Sequence, residues 1–289
     1  MTLLLAWIAS ISSGLEPLIL KASSKNLIKS PWLFNIFWIG AALPLIIPFA
    51  VARGGHMPAS WGIFLLIGAS HALFLTLYTS ALYKIDASTM APLFSLRTIF
   101  ALILSMLVLH ESFTAVKFLL ICSILLASPL ASYDEHLKFK AFRNRYTLLA
   151  VISMAALALA GYFTSQAYQH NGAATTILWQ DVCTLLFLLP TAVFVKWKKE
   201  TWSAKKFLPF AILALMGFIY TASTTVAYGH AYGLSSVIIS LPLSMIFVWL
   251  VSMIPKYKGW LEDHPPSVYR IRFAGATIMV LSAILLSLA

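Results

Sequence analysis

Apolar residues in this chain come in long unbroken runs, each closed by a short cluster of charge, proline or glycine. Ten such runs can be marked: 3–20, 32–52, 61–83, 87–109, 114–131, 146–168, 173–195, 207–228, 234–254 and 271–288. A run of about 18 to 23 apolar residues, rising about 1.5 Å each, crosses the hydrocarbon core of a bilayer as a helix. Strands are excluded because a backbone in lipid must satisfy its own hydrogen bonds, which a helix does alone and an open strand does not. The pattern therefore predicts an all-α polytopic membrane protein with ten transmembrane helices, bounded to within a few residues. Runs 87–109 and 114–131 are separated only by His110, Glu111, Ser112 and Phe113, which leaves room for nothing but the elbow of an antiparallel hairpin. The longest polar connections, 133–145, 196–206 and 255–270, cannot hold a soluble domain, so any function has to reside inside the bundle.

The two halves of the chain echo one another. Thr2-Leu-Leu-Leu-Ala-Trp-Ile-Ala resembles Tyr146-Thr-Leu-Leu-Ala-Val-Ile-Ser at the starts of runs one and six. Ser88, Thr89, Ser105 and Met106 are matched by Ser235, Ser236, Ser252 and Met253 in runs four and nine. Five helices per half is an odd number, so a duplicated second half enters the membrane from the opposite side. The expected architecture is two inverted five-helix repeats, 1–132 and 146–289, joined by the loop 133–145, with any binding site near the midplane between them.

Composition agrees with a membrane setting. Of 289 residues, 61% are hydrophobic and 10% charged, against roughly 25% charged in a soluble domain. The net charge of +11 is of the sign that binds nucleic acid, but the basic residues sit in short loops between apolar runs, so no nucleic-acid partner is expected and lipid is. Nearly all of them, at 21–29, 84, 138–145, 196–206 and 256–272, fall on one face of the ten-helix arrangement, whereas Arg53 and Lys117 are on the other. The positive-inside rule then puts the basic face in the cytoplasm and both termini outside. Cys122 and Cys183 lie inside apolar runs, where they read as packing residues and not as a disulfide or metal pair. With no cleavable leader pattern at Met1–Leu5, the first helix is expected to be retained in a multi-pass protein of the plasma (inner) membrane.

Ionisable groups inside the spans are the sharpest chemical signal. Glu16, followed by Pro17, sits in run one, His71 in run three, Arg97 in run four and Asp181 in run seven. A bare charge at mid-span costs roughly 2.5 to 3.5 kcal/mol on insertion scales, so these groups should face the interior. They either line a wet cavity or serve structure, with Asp181 paired to Arg97, Glu16 reaching toward Lys21, and His71 hydrogen-bonded in the core. Phe94, Tyr162, Gln166, Trp179, Gln180 and Tyr220 supply aromatic faces and amides in the central helices, with Ser95, Thr221 and Ser240 beside them; such groups attract organic cations, stack on planar solutes and fix their orientation. Trp179-Gln180-Asp181 is the favoured cluster, since bulk, amide and carboxylate fall together at span depth. Glu111 reads as structural, its carboxylate near the exposed amides at the start of run five. Gly229 and Gly233 give a small-xxx-small spacing for helix contact, with a homodimer one use of it. No cofactor or metal site is expected.

The run Ala81-Leu-Tyr-Lys-Ile-Asp-Ala-Ser-Thr-Met-Ala-Pro-Leu and the elbow Leu109-His-Glu-Ser-Phe-Thr resemble the ten-helix EamA-like transporters of the drug/metabolite transporter superfamily. Pro92 and Glu111 occupy the places of that family's proline-bearing fourth helix and its terminal glutamate. The second half departs from the pattern, reading Met253-Ile-Pro-Lys-Tyr-Lys-Gly-Trp-Leu-Glu-Asp where a matching glutamate would stand. The family is usually pictured with cytoplasmic termini, opposite to the charge count. The resemblance implies a secondary transporter that moves a small organic metabolite or drug-like solute by alternating access, coupled to a proton or to exchange. A membrane-embedded enzyme is not expected, because HExxH and GxSxG motifs are absent, and no GxxxxGK loop offers ATP binding. The alternatives to transport are a non-transporting assembly subunit and, without those motifs, a membrane-embedded enzyme.

Overall fold

The computed structural model describes residues 2–26, 28–84, 93–131, 133, 145–197, 207–252 and 266–289. Among them every regular element is helical: α1 (Thr2–Asn26), α2 (Pro31–Ala52), α3 (Gly62–Leu82), α4 (Phe94–Leu107), α5 (Ala115–Ala131), α6 (Arg145–Leu188), α7 (Phe207–His230), α8 (Tyr232–Ile239), α9 (Leu243–Ser252) and α10 (Pro266–Leu288), with a short 3-10 turn at Leu189–Phe194. Among the described residues five stretches are long and apolar enough to cross a membrane by themselves: Pro31–Ala52, Gly62–Leu82, Arg145–Phe194, Ala211–His230 and Ser267–Leu288. Residues 87–92 of the fourth expected run, Ser88, Thr89 and Pro92 with them, lie outside the described residues, as does Met253.

The expected sixth and seventh spans are the two arms of α6. Gly172 interrupts that helix with φ 75 and ψ 173, a conformation open only to a residue without Cβ. Thr164 Oγ1 donates to Gln180 Oε1 at 3.2 Å, and these residues lie equally far before and after Gly172. In a straight helix sixteen residues would separate them by about 24 Å, so the arms fold back into an antiparallel hairpin. The expected ninth span differs from a single helix: it breaks into α8 and α9 at 240–242. Pro242 has no N–H to donate and cannot continue α8, while Leu243 N donates back to Leu241 O at 2.8 Å.

Small residues let the helices approach. A Cβ on Gly68 of α3 would lie 2.6 Å from the Cys183 carbonyl carbon, and one on Gly275 of α10 only 2.4 Å from Ala131 N at the end of α5. These are backbone-to-backbone contacts of the kind that hold helices together when lipid supplies no hydrophobic drive between them. Hydrogen bonds across the bundle add to them: Ser123 with Ser282 at 3.1 Å, and Asn35 Nδ2 to Leu75 O at 3.1 Å. Cys122 and Cys183 are both free.

The helix ends sort onto two faces. On one, Tyr83 donates to Ile28 O, Arg272 Nε donates to Tyr133 O, and the Trp32 and Phe194 rings meet at 5.3 Å. On the other, His56 N donates to Thr175, Glu111 reaches Tyr232, and Trp7 Nε1 donates to Ser287 Oγ beside the termini. Lys29, Lys84, Arg145, Lys196, Arg270 and Arg272 belong to the first face, as the alternation of connections requires. The substitution Gly275→Ala is expected to cost about 1–3 kcal/mol through overpacking against the α5 backbone, read as a lower Tm in detergent, whereas the same change at Gly40, which has open space around it, is expected to leave Tm within a degree or two.

Candidate functional site

A cavity of about 100 Å³ opens where α1, α2, α3, α4, the second arm of α6, α7 and the α8–α9 break converge. That is room for roughly seven to ten waters. Its wall holds three of the expected charged side chains, Glu16, Arg97 and Asp181, together with His71, Phe94 and Tyr220. The break between α8 and α9 contributes Ser240, Leu241 and Pro242, so the unwound segment lies at the cavity and not in lipid, as non-helical backbone at membrane depth requires.

Arg97 is 3% exposed. Its Nη2 donates to the Tyr228 hydroxyl, and Tyr220 lies within electrostatic reach. Asp181, 2% exposed, accepts a hydrogen bond from Thr221 Oγ1 at 3.2 Å. The Asp181–Arg97 pair considered from sequence does not form: Arg97 turns to the Tyr228 phenol of α7 and Asp181 to the Thr221 hydroxyl, about two turns closer to the start of that helix. Glu16 does not run out to the interface but lines the cavity, half-buried. Thus two carboxyls and one guanidinium face one small volume with no ion pair among them. Such an arrangement is costly when empty of water or ligand and favours a polar or charged occupant.

An aromatic wall completes the site. His71, Phe74 and Tyr78 are three and four residues apart on α3, hence on one stripe. The His71 ring stacks on Phe74 at 6.0 Å, Phe74 on Tyr78 at 5.2 Å, and Tyr78 meets Phe94 edge-on at 5.6 Å. His71 Nδ1 shares a hydrogen bond with Thr184 Oγ1 at 3.3 Å, and Thr184 is itself bound to Gln180 O, so His71 is both core and cavity wall. Trp38, Phe74, Tyr78 and the 240–242 break were not singled out from sequence; Pro242 inside an apolar run was the available signal for the break.

The Trp179-Gln180-Asp181 cluster is dispersed, because successive helical residues point about 100° apart. Only Asp181 reaches the cavity. Gln180 is buried in a separate polar seam, accepting from Thr164 and donating to Thr225 Oγ1 at 2.8 Å. Trp179 turns to the 53–61 connection, where Nε1 donates to His56 O at 2.8 Å and the ring meets Trp61 edge-on at 4.8 Å. Tyr162 packs on Phe163 at 5.2 Å, and Gln166 is half-buried on the first arm of α6; neither lines the cavity. Glu111 is a cap, but of a different helix from the expected one. Its carboxylate accepts from Tyr232 N and Gly233 N at the start of α8 instead of from α5, since the elbow backbone aims it across the bundle. Gly229 and Gly233 are filled from within the chain, the first by the Tyr168 ring and the second by Ser105 and Glu111. Among the described residues no group of three or more His, Cys, Asp or Glu could hold a metal ion.

Residues 1–133 match the family model of the EamA-like transporter family. The chain superposes on a solved crystal structure with a TM-score of 0.69 at 14% identity, covering 96% of this chain and 98% of that one, a likeness that concerns the fold alone. No curated protein matches it. Removing the amide of the buried seam by Gln180→Leu is expected to strand the Thr164 hydroxyl and cost about 1–3 kcal/mol, measured as a lowered Tm of the detergent-purified protein, with the cavity wall left intact.

Proposed function

We propose that this chain, whose residues 1–133 match the model of the EamA-like transporter family, is a secondary transporter that carries a small organic solute through the cavity by alternating access between two inverted five-helix repeats, 1–132 and 146–289. The observation that carries the reading is the cavity itself: Glu16, Arg97 and Asp181 face one small volume beside an unwound helix segment, the arrangement in which transporters of inverted-repeat design hold their substrates. The packing supports the repeat. Exchanging each span with the one five later turns α3 against the arms of α6 into α7 against α1 and α2, and turns α4 against α6 into α8 and α9 against α1. It leaves α5 against α10 unchanged. The family match ends at residue 133, one residue past the first repeat.

The solute is a small molecule with a charged group, anionic toward Arg97 or cationic toward Glu16 and Asp181, and with an apolar or planar body for the Phe74, Tyr78 and Phe94 wall. Glu16 and Asp181 are the groups available to carry a coupling proton. The basic face is cytoplasmic on the positive-inside rule, so a reporter fused after Ala289 is expected to be active outside; activity confined to the cytoplasm reverses the orientation.

The transport reading is tested in proteoliposomes with pooled labelled metabolites under imposed proton and solute gradients. Native protein is expected to accumulate at least one solute, with Asp181→Asn and Arg97→Gln each lowering initial rates tenfold or more while eluting as folded protein. Full transport by both variants removes the cavity as the site. Absence of movement of any solute under every gradient favours an assembly subunit.

A further inference from the structure

We propose that Glu111 is the clasp of a gate between the two halves, on the face opposite the basic connections, and that Tyr228 and Tyr232 tie it to the cavity. The inference rests on the alternating-access reading above and adds to it the identity of one gate. Glu111 lies in the elbow between α4 and α5, in the first half of the chain; the two amides that its carboxylate accepts from belong to the second, and Ser105 of α4 steadies it from its own half. Oε1 accepts from Tyr232 N at 2.9 Å, and Oε2 accepts from Gly233 N at 3.0 Å and from Ser105 Oγ at 2.5 Å. A carboxylate on the first two amides of α8 satisfies donors that otherwise lack a partner within the helix, and it meets the positive end of the helix dipole.

Two neighbouring positions are fitted to this contact. His110, immediately before Glu111, has φ 54, a left-handed conformation uncommon for a residue with a side chain. It turns the elbow so that Glu111 N donates to Ser105 O at 3.1 Å and the carboxyl faces α8. At Gly233 a Cβ would lie 2.5 Å from Ser105 Oγ and 2.7 Å from Glu111 Oε2, so the clasp closes only over a residue that has none. The Glu111 contact thus accounts for a glycine that the Gly229–Gly233 spacing alone assigns to helix pairing.

The clasp is joined to the cavity by an unbroken series of contacts. Arg97 lines the cavity and donates to the Tyr228 hydroxyl. The Tyr228 ring meets Tyr232 edge-on at 5.2 Å and 78°. Tyr232, 1% exposed, is then held at its ring, at its hydroxyl by Ala158 O at 2.5 Å, and at its amide by Glu111. A solute anion drawn to Arg97 pulls toward the cavity the same guanidinium that Tyr228 holds from outside the cavity lining. Drawing it away frees Tyr228, loosens the seat of Tyr232 and weakens the clasp, which is the differential contact a two-state coupling requires. Every bond in the series is non-covalent and reversible, as a gate demands.

Ser235, fully buried one turn into α8, reports on the gate. In full-length protein freed of its own thiols by Cys122→Ser and Cys183→Ser, Ser235→Cys is labelled in proteoliposomes with a membrane-impermeant maleimide applied from the face of the termini. Glu111→Gln is expected to raise the labelling rate at least fivefold, and Tyr228→Phe, which leaves the clasp atoms in place, to raise it at least twofold. His230→Cys, exposed beside the clasp, is expected to label at the same rate in all backgrounds. An unchanged Ser235→Cys rate in folded Glu111→Gln protein makes the carboxylate a static helix cap and overturns the gate; if Glu111→Gln does not fold, an unchanged rate with Tyr228→Phe overturns it instead. The labelling needs no substrate. Faster labelling without transport of any solute would leave the clasp standing and remove the transporter reading, and transport with unchanged labelling would do the reverse.

Discussion

Arg97 is a cation in a helix that belongs to a lipid-embedded bundle, and the centre of the molecule is arranged around giving its guanidinium polar company. Hydrocarbon offers none, and a carboxylate pressed against it would make a salt bridge whose desolvation offsets most of its attraction. The chain uses phenols instead. Tyr228 takes the direct hydrogen bond, Tyr220 stands close, and both carboxyls face the same small volume without touching the guanidinium. The charges are therefore sheltered from lipid but left available to whatever enters. A pair locked by its own salt bridge would have closed the site.

The same constraint explains where the helices break. Unpaired backbone is tolerable at membrane depth only against protein or a polar space, and the break at 240–242 opens onto the cavity. The sharp turn at Gly172 is placed at the other extreme, on the face of the termini, where residues such as Gln169 and His170 are exposed. Between those points close packing does the rest: Gly68 against Cys183, Gly275 against the end of α5 and Gly233 against Ser105 each remove a side chain so that two backbones or a carboxylate can approach. Polar contacts then lock the register, through Gln180 with Thr164 and Thr225 and through Asn35 with Thr79.

Much of the site was legible before any coordinates. Glu16, His71, Phe94, Arg97, Asp181 and Tyr220 were all identified as interior groups and all line one cavity, because a charge or aromatic stripe inside an apolar run has few places to go. Trp179 and Gln180 show the limit of that reasoning. Adjacent in sequence to Asp181, they point to the 53–61 connection and to a buried seam, and only the azimuth of the helix tells them apart. Glu111 shows it from the other side: its capping role could be read from its place in the elbow, but not the helix it caps, since that helix lies more than a hundred residues away along the chain.

The sequence by itself determined that the chain is helical, that it belongs in a membrane, where most of its long helices run, and which ionisable groups must turn inward. These follow from local composition and from the cost of bare polar groups in lipid, which need no knowledge of neighbours. The tertiary structure alone decided that Arg97 is satisfied by Tyr228 and not by Asp181, that Glu111 joins the two halves, and that the apolar run 234–254 is broken at the cavity. Each of those depends on how helices rotate and stack, and an apolar run long enough to span a bilayer carries too weak a periodicity to say which of its faces meets which partner.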